Sequence, residues 1–534
     1  MAKQNLLEKV MNEPQPLPRK VPDYMRKKGG IWYWTGAILM ITFLYESLTG
    51  LILLFYYQPA HPYSSTGTIL AMPYGTVLLT THLYAAYIMI AFLYIHLLRN
   101  LFVGAYKKPR QMQWLTGILL LLVTIGVVYF GYSMSGDVLS ADATDVGRGI
   151  AAGAPLIGSY LRSIFFGSGT SLSLFMRLEG WHIVLAGVIL AMFALHFYLA
   201  EYNTIMPSPK HAEFKVPAVD NDDPSYKPWY PYNLLYMGQV SFFTLAMIFI
   251  IPSVLAILPN VPVLFSPFPQ VSVSSPLASS VPAYPPWILL FIYKELDFGI
   301  SSIIGPFWAS LIFIGLPVGY LLFIPYLDRN DSLKLSRRKA VLYTGILGLF
   351  YYIGLSVWGA MEPGVPVSNL VGFLFFAVPM LVVIPVSLYM IKKVEAAKSN
   401  LGNNLWKLYS ILPVIGFLAI LVGITSYMFL DGLSYYDLAA LIFVLVLLAI
   451  SSLYAYGWIY GIKENTKNIK MSERGHLVFG GIYGFLAIVI FTMISDIPPT
   501  KVEYQALYGI GIGLLFVLGG AFTKLYRSYA YHEG

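Results

Sequence analysis

Four histidines are the residues of this chain whose type and spacing point most directly to chemistry. His82 and His96 are 14 positions apart, and so are His182 and His196, each pair inside a stretch apolar enough to span a bilayer. In an α-helix, 14 positions give roughly 21 Å of rise and bring the side chain back to within about 40° of its starting direction. Each helix therefore shows two imidazoles on one face, near opposite membrane surfaces. Two such helices side by side would form two stacked bis-imidazole sites for haem iron.

Glycine repeats the same interval in two other apolar stretches. Gly36 and Gly50 are 14 positions apart, as are Gly117 and Gly131. A porphyrin edge between helices requires backbone without a Cβ atom at the same two depths, and glycine provides it. For each pair taken alone, the alternative is that glycine only lets membrane helices pack closely.

The composition is that of a membrane protein with many spans. Of the 534 residues, 57% are hydrophobic and only 11% are charged, whereas soluble domains carry about 25% charged residues. We predict an all-α fold of about twelve membrane helices. The apolar windows are 31–57, 75–103, 112–134, 179–203, 232–258, 300–327, 339–361, 369–391, 406–430, 437–462, 476–495 and 504–526. Since the chain has no cysteine, it supplies no disulfide, no iron–sulfur ligand and no covalent haem attachment.

Basic residues predict the topology. With cytoplasmic N- and C-termini in the plasma membrane, the outside segments hold only five of the 34 Lys and Arg residues: Arg148, Arg162, Arg177, Lys294 and Lys501. This asymmetry follows the positive-inside rule, so the net charge of +8 reflects topology and indicates no nucleic-acid partner. His82 and His182 then lie near the outer surface, and His96 and His196 near the inner one.

The chain divides into five predicted segments. Residues 1–30 form a cytoplasmic segment, 31–203 a four-helix di-haem core and 204–231 a charged cytoplasmic linker. Residues 232–391 follow with a long outer loop at 259–299, and 392–534 add four helices for which we expect no redox centre. We also expect a short surface helix around 143–154.

Several motifs resemble cytochrome b, the haem-bearing core of cytochrome bc complexes. The run that begins at His96 resembles the family from its second helix into the outer loop; it reads HLLRNLFVGAYKKPRQMQWLTGILLLLVTIGVVYFGYSMSGDVLS. The motif RLEGWH, which ends in His182, resembles the entry to the family's fourth helix. Pro228-Trp229-Tyr230 is similar to the family's entry to its fifth helix, and Pro285-Pro286-Trp287 stands at its Pro-acid-Trp motif. The resemblance is strong to residue 235, loose to about 390 and absent beyond.

The resemblance implies two haems with bis-histidine ligation, of haem b or a modified a-type. His82 and His182 would ligate the outer haem, and His96 and His196 the inner one. Arg99 would pair with a propionate of the inner haem, although an arginine that only serves topology is the alternative. Glu46, four residues before Gly50, is expected to face the outer haem; the alternative is a neutral acid bonded to a neighbouring helix.

The resemblance also implies quinol oxidation near the outer haem, with one electron passing to a Rieske iron–sulfur protein. Tyr132 and Trp287 match family residues of that pocket, but Pro286 replaces the acid, and proline accepts no proton. We hypothesise that Asp137, Glu295 or Asp297 substitutes for it; solvated loop acids are the alternative. Glu201 stands where the family often has a histidine of the inner quinone site, and either protonates quinone there or is an interfacial acid.

The favoured function is therefore an electron-transfer subunit of a quinol-oxidising respiratory complex, similar to archaeal members of the family. Its expected partners are a Rieske protein, quinol, membrane lipid and terminal oxidase subunits. Two other functions stay open: a di-haem membrane anchor of a dehydrogenase or hydrogenase, and a secondary transporter.

Overall fold

The described part of the protein is mostly helical. The computed structural model describes residues 20–26, 30–203, 226–333, 335–396 and 472–532. In chain order the helices are α1 (Thr35–Leu53), α2 (Pro62–Ala71), α3 (Gly75–Val103), α4 (Gln111–Ser133), α5 (Val138–Ala152), α6 (Gly158–Phe166), α7 (Ser171–Tyr202), α8 (Leu234–Ile257), α9 (Leu290–Leu296), α10 (Gly299–Ile304), α11 (Pro306–Leu327), α12 (Lys339–Met361), α13 (Asn369–Ala396), α14 (Glu473–Ser495) and α15 (Val502–Tyr531).

Ten of these helices are long and apolar enough to cross a membrane, counted over the described residues: α1, α3, α4, α7, α8 and α11 to α15. They confirm ten of the twelve predicted windows, because an uninterrupted apolar run of this length satisfies its backbone polar groups only as a helix in lipid. The windows 406–430 and 437–462 lie outside the described residues.

The N-terminal end of α7 extends beyond its predicted window. The helix begins at Ser171, eight residues before the window at 179, because the Thr170 hydroxyl caps it by accepting from the Ser173 amide at 3.2 Å. The predicted window left out these first turns, which include the polar residues Ser171, Ser173 and Arg177. The expected surface helix is confirmed as α5, at Val138–Ala152, and the sequence reading missed α2 and α6.

The first four long helices pack in two pairs. α1 packs on α3 and α4 packs on α7, whereas α3 and α7 make few close backbone contacts with each other. Among the ten long helices, α3 has the largest buried share. The arrangement leaves α3 and α7 facing each other through their side chains.

The loop after α8 folds back over the start of α5. The Val138 amide donates to the Val271 carbonyl at 3.0 Å, and Asp137 forms an isolated bridge with Ser272. Further along the loop, the Tyr284 hydroxyl donates to the Ala360 carbonyl at the end of α12, at 3.1 Å. The loop thus ties α5 to α12 at one end of the bundle.

The last helix packs along α8 and reaches α3. Gln505, in the first turn of α15, accepts from the Thr76 amide at 2.8 Å and donates to the Met72 carbonyl at 3.0 Å. The Thr76 amide is one of the donors that a helix start leaves without an intrahelical partner. At the other end of α15, Arg527 donates to the Gln239 side chain at 2.9 Å.

A short antiparallel ribbon joins the described part of the N-terminal segment to the residues before α8. It pairs β1 (Val21–Pro22) with β2 (Tyr226–Lys227). Next to it, Arg26 donates to the Asn233 side chain at 2.7 Å. The segment therefore lies at the end of the bundle where α8 begins.

Candidate functional site: two histidine levels and an adjoining cavity

The four histidines lie against the four glycines. A Cβ atom added at each glycine would have an imidazole Cε1 as its nearest neighbour, and the contacts are Gly36–His96 (3.7 Å), Gly50–His82 (3.4 Å), Gly117–His196 (3.0 Å) and Gly131–His182 (2.7 Å). The glycines of α1 therefore face the histidines of α3, and those of α4 face the histidines of α7. We call the two depths the His82–His182 level and the His96–His196 level.

The rings of the first level face each other at a separation suited to one metal ion. The ring centroids of His82 and His182 are 6.4 Å apart, with planes at 74°. A bond between a metal and an imidazole nitrogen is about 2 Å long, as for zinc, so two imidazoles on opposite sides of one iron place their centroids roughly 6 Å apart. His82 and His182 would therefore be able to hold a haem iron between them. His96 and His196 are also close enough to interact electrostatically.

Each imidazole uses its Nδ1 atom in a hydrogen bond with the protein. Three of the partners are threonine hydroxyls directly before the glycines: Thr35 with His96 (2.8 Å), Thr49 with His82 (2.8 Å) and Thr116 with His196 (3.0 Å). His182 Nδ1 lies 2.9 Å from the Val127 carbonyl. A ligating histidine normally donates its second ring N–H in this way, which fixes the ring and leaves Nε2 for the metal.

Glu46 is the carboxylate at the His82–His182 level. Its Oε2 atom lies 2.9 Å from His82 Nδ1, and its Oε1 atom is buried without a hydrogen-bond partner among the described residues. Nδ1 of His82 therefore faces two oxygens, one from Glu46 and one from Thr49. An Nδ1–H that donates toward a carboxylate makes the imidazole a stronger electron donor to a metal.

At the other level the charged residue is Arg99. It is buried, with its guanidinium 4.6 Å from the centroid of the Tyr33 ring, and it donates to the Asn100 side chain at 2.9 Å. A guanidinium is well suited to pairing with a carboxylate such as a haem propionate. Glu201 lies in the last turn of α7, five residues after His196.

A cavity of about 130 Å³ lies beside the His82–His182 level, at the end of the bundle where α5 and the loop meet. Its lining combines one side of α5, the segment before and along α9, and the end of α12; it includes Asp142, Tyr284, Tyr293, Lys294 and Asp297. Tyr132 connects the cavity to the histidines, because it follows Gly131 and its hydroxyl donates to the Tyr284 carbonyl at 3.2 Å.

Pro286 and Trp287 come directly after Pro285, which lines the cavity. Pro286 is buried and begins a single helical turn, Trp287–Leu289, that leads into α9. The turn places Trp287 in the same apolar cluster as Tyr132 and 6.0 Å from the Tyr87 ring. Proline therefore sets the direction of the backbone at the position where the family carries an acid.

The three expected acids occupy different surroundings. Asp137 caps α5: its carboxylate accepts from the Ser140 amide at 2.9 Å, from the Ser135 hydroxyl at 2.8 Å and from the Gln270 amide at 2.6 Å. Asp297 lines the cavity but forms an ion pair with Lys294 at 3.1 Å.

Glu295 is buried and is absent from the lining of this cavity. Burial raises the pKa of Glu295 well above its usual value. Burial also raises the pKa of Asp297, and Lys294 partly offsets that rise. Of these two acids, only Asp297 reaches the cavity.

The sequence reading missed two sets of site residues. The threonines carried a weak signal: Thr-Gly doublets stand at 35–36, 49–50 and 116–117, but also at 66–67 and 344–345, away from the histidines. Asp142 and Tyr293 line the cavity, but only the fold brings α5 and α9 together, and nothing in their spacing indicates it.

This chain is similar to known proteins in sequence and in fold. The family model described as "Cytochrome b(N-terminal)/b6/petB" matches residues 87–294. A curated "Cytochrome b" of Sulfolobus acidocaldarius is 34% identical, covering 98% of this chain and 97% of the relative. A "Cytochrome b6" of Prochlorococcus marinus is 28% identical over 33% of this chain and 83% of the relative. A solved chain of "Hyperthermophilic respiratory Complex III" has a TM-score of 0.54 at 21% identity, covering 72% of this chain and 95% of its own, which shows a shared fold.

Fold and site together define a multi-pass membrane protein that holds two levels of facing histidines between four helices. With a relative of this identity along nearly its whole length, the chain belongs to the cytochrome b family. It is thus a haem-binding membrane protein of electron transport, as the sequence motifs predicted.

Proposed function

We propose that this cytochrome b is the two-haem subunit of a quinol-oxidising respiratory complex and carries electrons between the two membrane surfaces. The observation that carries the proposal is the pairing of four histidines with four glycines at two depths, beside a cavity. A transporter that binds no metal would not require two imidazoles whose ring centroids are 6.4 Å apart and whose Nδ1 atoms are held by hydrogen bonds. A di-haem dehydrogenase anchor would also need the histidines, and the identity of 34% to a cytochrome b along 98% of this chain favours the first function.

His82 and His182 would hold one haem, and His96 and His196 the other. When bound, the haems supply one-electron carriers at two depths. The chain itself fixes the ring orientations through Thr35, Thr49, Thr116 and the Val127 carbonyl. Glu46 would accept a hydrogen bond from His82 Nδ1–H, which makes the imidazole a stronger electron donor and favours the oxidised form of a metal there. Arg99 would pair with a propionate at the other level.

The cavity would receive the quinol head group. Trp287 and Tyr132 belong to the same apolar cluster as the lining residue Tyr284, and this cluster would exclude water from that side of the cavity. Oxidation of quinol releases two protons and two electrons, so the cavity needs proton acceptors. Among the acids expected from sequence, Asp297 lines it, and Glu295 lies one residue beyond the lining residue Lys294. Pro286 has no group that accepts a proton, and its role is limited to the backbone conformation before Trp287.

A second quinone site would lie near the His96–His196 level. Glu201 is placed five residues after His196, and a carboxyl group there would deliver protons to quinone as it is reduced. Replacing Glu201 with glutamine should slow oxidation of the haem at this level by quinone and leave the quinol-driven reduction of the other haem unchanged.

The proposal also includes the partner proteins and the membrane in which the protein lies. One electron of each quinol would pass to a Rieske iron–sulfur protein, since this chain has no cysteine for such a cluster; terminal oxidase subunits would follow in the same assembly. The protein would lie in the plasma membrane with cytoplasmic N- and C-termini, as its basic residues predict.

The test is purification of the native complex in mild detergent. We expect two haems per chain, both reduced by dithionite, with reduction by quinol that requires a co-purified Rieske protein. Variants His82→Ala and His96→Ala should each lose one haem. The solvent-side His61, which starts α2, provides a matched control in His61→Ala, which should keep both. A colourless protein, or haems that quinol does not reduce, would contradict the proposal.

A further inference from the structure

By the family resemblance Pro286 stands where an acid would be, and α5 supplies a carboxylate to the cavity whose proposed chemistry releases protons. Two acids line the cavity, Asp142 from α5 and Asp297 after α9. Asp297 is held by Lys294, whose ammonium also donates to the Glu362 carbonyl at 2.8 Å and to the Val365 carbonyl at 3.1 Å. Asp142 makes no ion pair with any residue of the described chain.

On the basis of the function proposed above, we infer that Asp142 is the base that accepts a proton from a quinol hydroxyl in this cavity. The step is a proton transfer: the O–H bond of the quinol breaks, an O–H bond forms on the Asp142 carboxylate, and the quinol oxygen keeps the electron pair. No oxidant is needed for this step. The carboxylic acid then returns its proton to water.

The position of Asp142 suits both steps, uptake of the proton from quinol and its release to water. It lines the cavity and is only partly buried, so it can reach quinol on one side and water on the other. Glu295 is buried and absent from the lining, and the carboxylate of Asp137 is occupied by three donors. Neither of them meets both conditions.

The surroundings of Asp142 make it a stronger base than an ordinary aspartate. Burial and the nearby acids Asp145 and Asp137 raise its pKa above the usual value for aspartate, which strengthens it as a proton acceptor. The ionisable groups near it on its own helix and on the elements that pack there are Tyr129, Tyr132, Asp137, Asp145, Arg148, Tyr293, Lys294 and Asp297.

The experiment compares Asp142→Asn with Asp145→Asn in the purified complex that retains its haems and its iron–sulfur partner. Asp145 is on the same helix, is exposed and pairs with Arg148 at 3.2 Å, so it is a matched charge control. The rate of haem reduction by quinol is measured against pH in each variant. Infrared difference spectra, recorded as quinol is oxidised, report any carboxyl group that gains a proton.

In the wild type we expect the rate to fall as the pH decreases through the pKa of Asp142. Asp142→Asn should lower the plateau rate by roughly 100-fold or more, as for loss of a general base, and should remove both the acidic limb and a protonated-carboxyl infrared band. Asp145→Asn should keep the plateau and shift the limb to lower pH, because a neighbouring negative charge is gone. Asp142→Glu should restore most of the rate and a carboxyl band.

Unchanged rates, pH profile and infrared spectrum in Asp142→Asn, with both haems present, would overturn the inference while the proposed function stands. A loss of rate in Asp297→Asn but not in Asp142→Asn would assign the base to Asp297 and also overturn it. If the wild-type complex with intact haems does not oxidise quinol, the proposed function fails and this inference fails with it.

Discussion

Replacing Gly131 with alanine is expected to weaken haem binding at the His82–His182 level and to leave the other level intact. The added Cβ atom would lie 2.7 Å from Cε1 and 3.0 Å from Nδ1 of His182. Carbon atoms in contact are normally about 3.5–4.0 Å apart, so the imidazole must move by roughly 1 Å. Overpacking of this kind costs about 1–3 kcal/mol, which corresponds to a loss of roughly 5- to 150-fold in affinity.

The other three glycines can be ranked by the same distance, from an added Cβ atom to the facing imidazole. Alanine at Gly117 would bring a Cβ atom to 3.0 Å from His196, at Gly50 to 3.4 Å from His82, and at Gly36 to 3.7 Å from His96. The last two are ordinary contacts or nearly so. The two glycines of α4 should therefore be far less tolerant of alanine than the two glycines of α1.

Haem content per chain, together with redox titration that resolves the two haems, measures this effect. A suitable control is Gly126→Ala on α4, since its Cβ atom would meet only the Leu185 side chain, at 3.4 Å. Gly131→Ala should lose haem at one level, whereas Gly36→Ala and Gly126→Ala should retain two haems. Equal losses in Gly36→Ala and Gly131→Ala would refute the reasoning, because they would show that clearance to the imidazole does not set tolerance.

Three further predictions concern neighbouring residues. Thr116→Val removes the Nδ1 partner of His196 and should raise the reduction potential of that haem, by about 59 mV if the relative affinity for the two redox states changes tenfold; redox titration checks it. Lys294→Met removes the hydrogen bonds of the ammonium to Asp297 and to two carbonyls, and should cost about 1–3 kcal/mol of stability, seen as a lower unfolding temperature. Burial raises the pKa of Glu295, so its contribution to stability is present below about pH 4.3 and is lost as the pH rises through the folded-state pKa; Glu295→Gln should flatten this decline in thermal unfolding measured against pH.

Features that repeat along one helix could be predicted from the sequence. The apolar windows predicted ten described membrane helices, since span length is set by bilayer thickness. The interval of 14 between His82 and His96 predicted a shared helix face, and the structure places both rings against glycines of α1. Such predictions need only helical geometry and the chain's local pattern.

Contacts between residues far apart in the chain could not be predicted in this way. Tyr132 reaches the carbonyl of Tyr284, and the cavity joins Asp142 to Tyr293; both depend on how the loop after α8 folds over α5. No helical period relates these positions. The family resemblance marked Pro286 as the place where an acid is missing, but only the packed structure shows which other carboxylate lies in the cavity.

The hydrogen bond between Gln505 and Thr76 has a consequence for biogenesis. The donor at the start of α3, the helix with two of the four histidines, finds its acceptor 429 residues later in the chain. At about 5–20 residues per second, a ribosome needs roughly 20–90 s to cover that interval. During this interval α3 is in the membrane without the hydrogen bond from Gln505 at its first turn. A haem that binds before α15 is synthesised would therefore bind to helices that lack this contact.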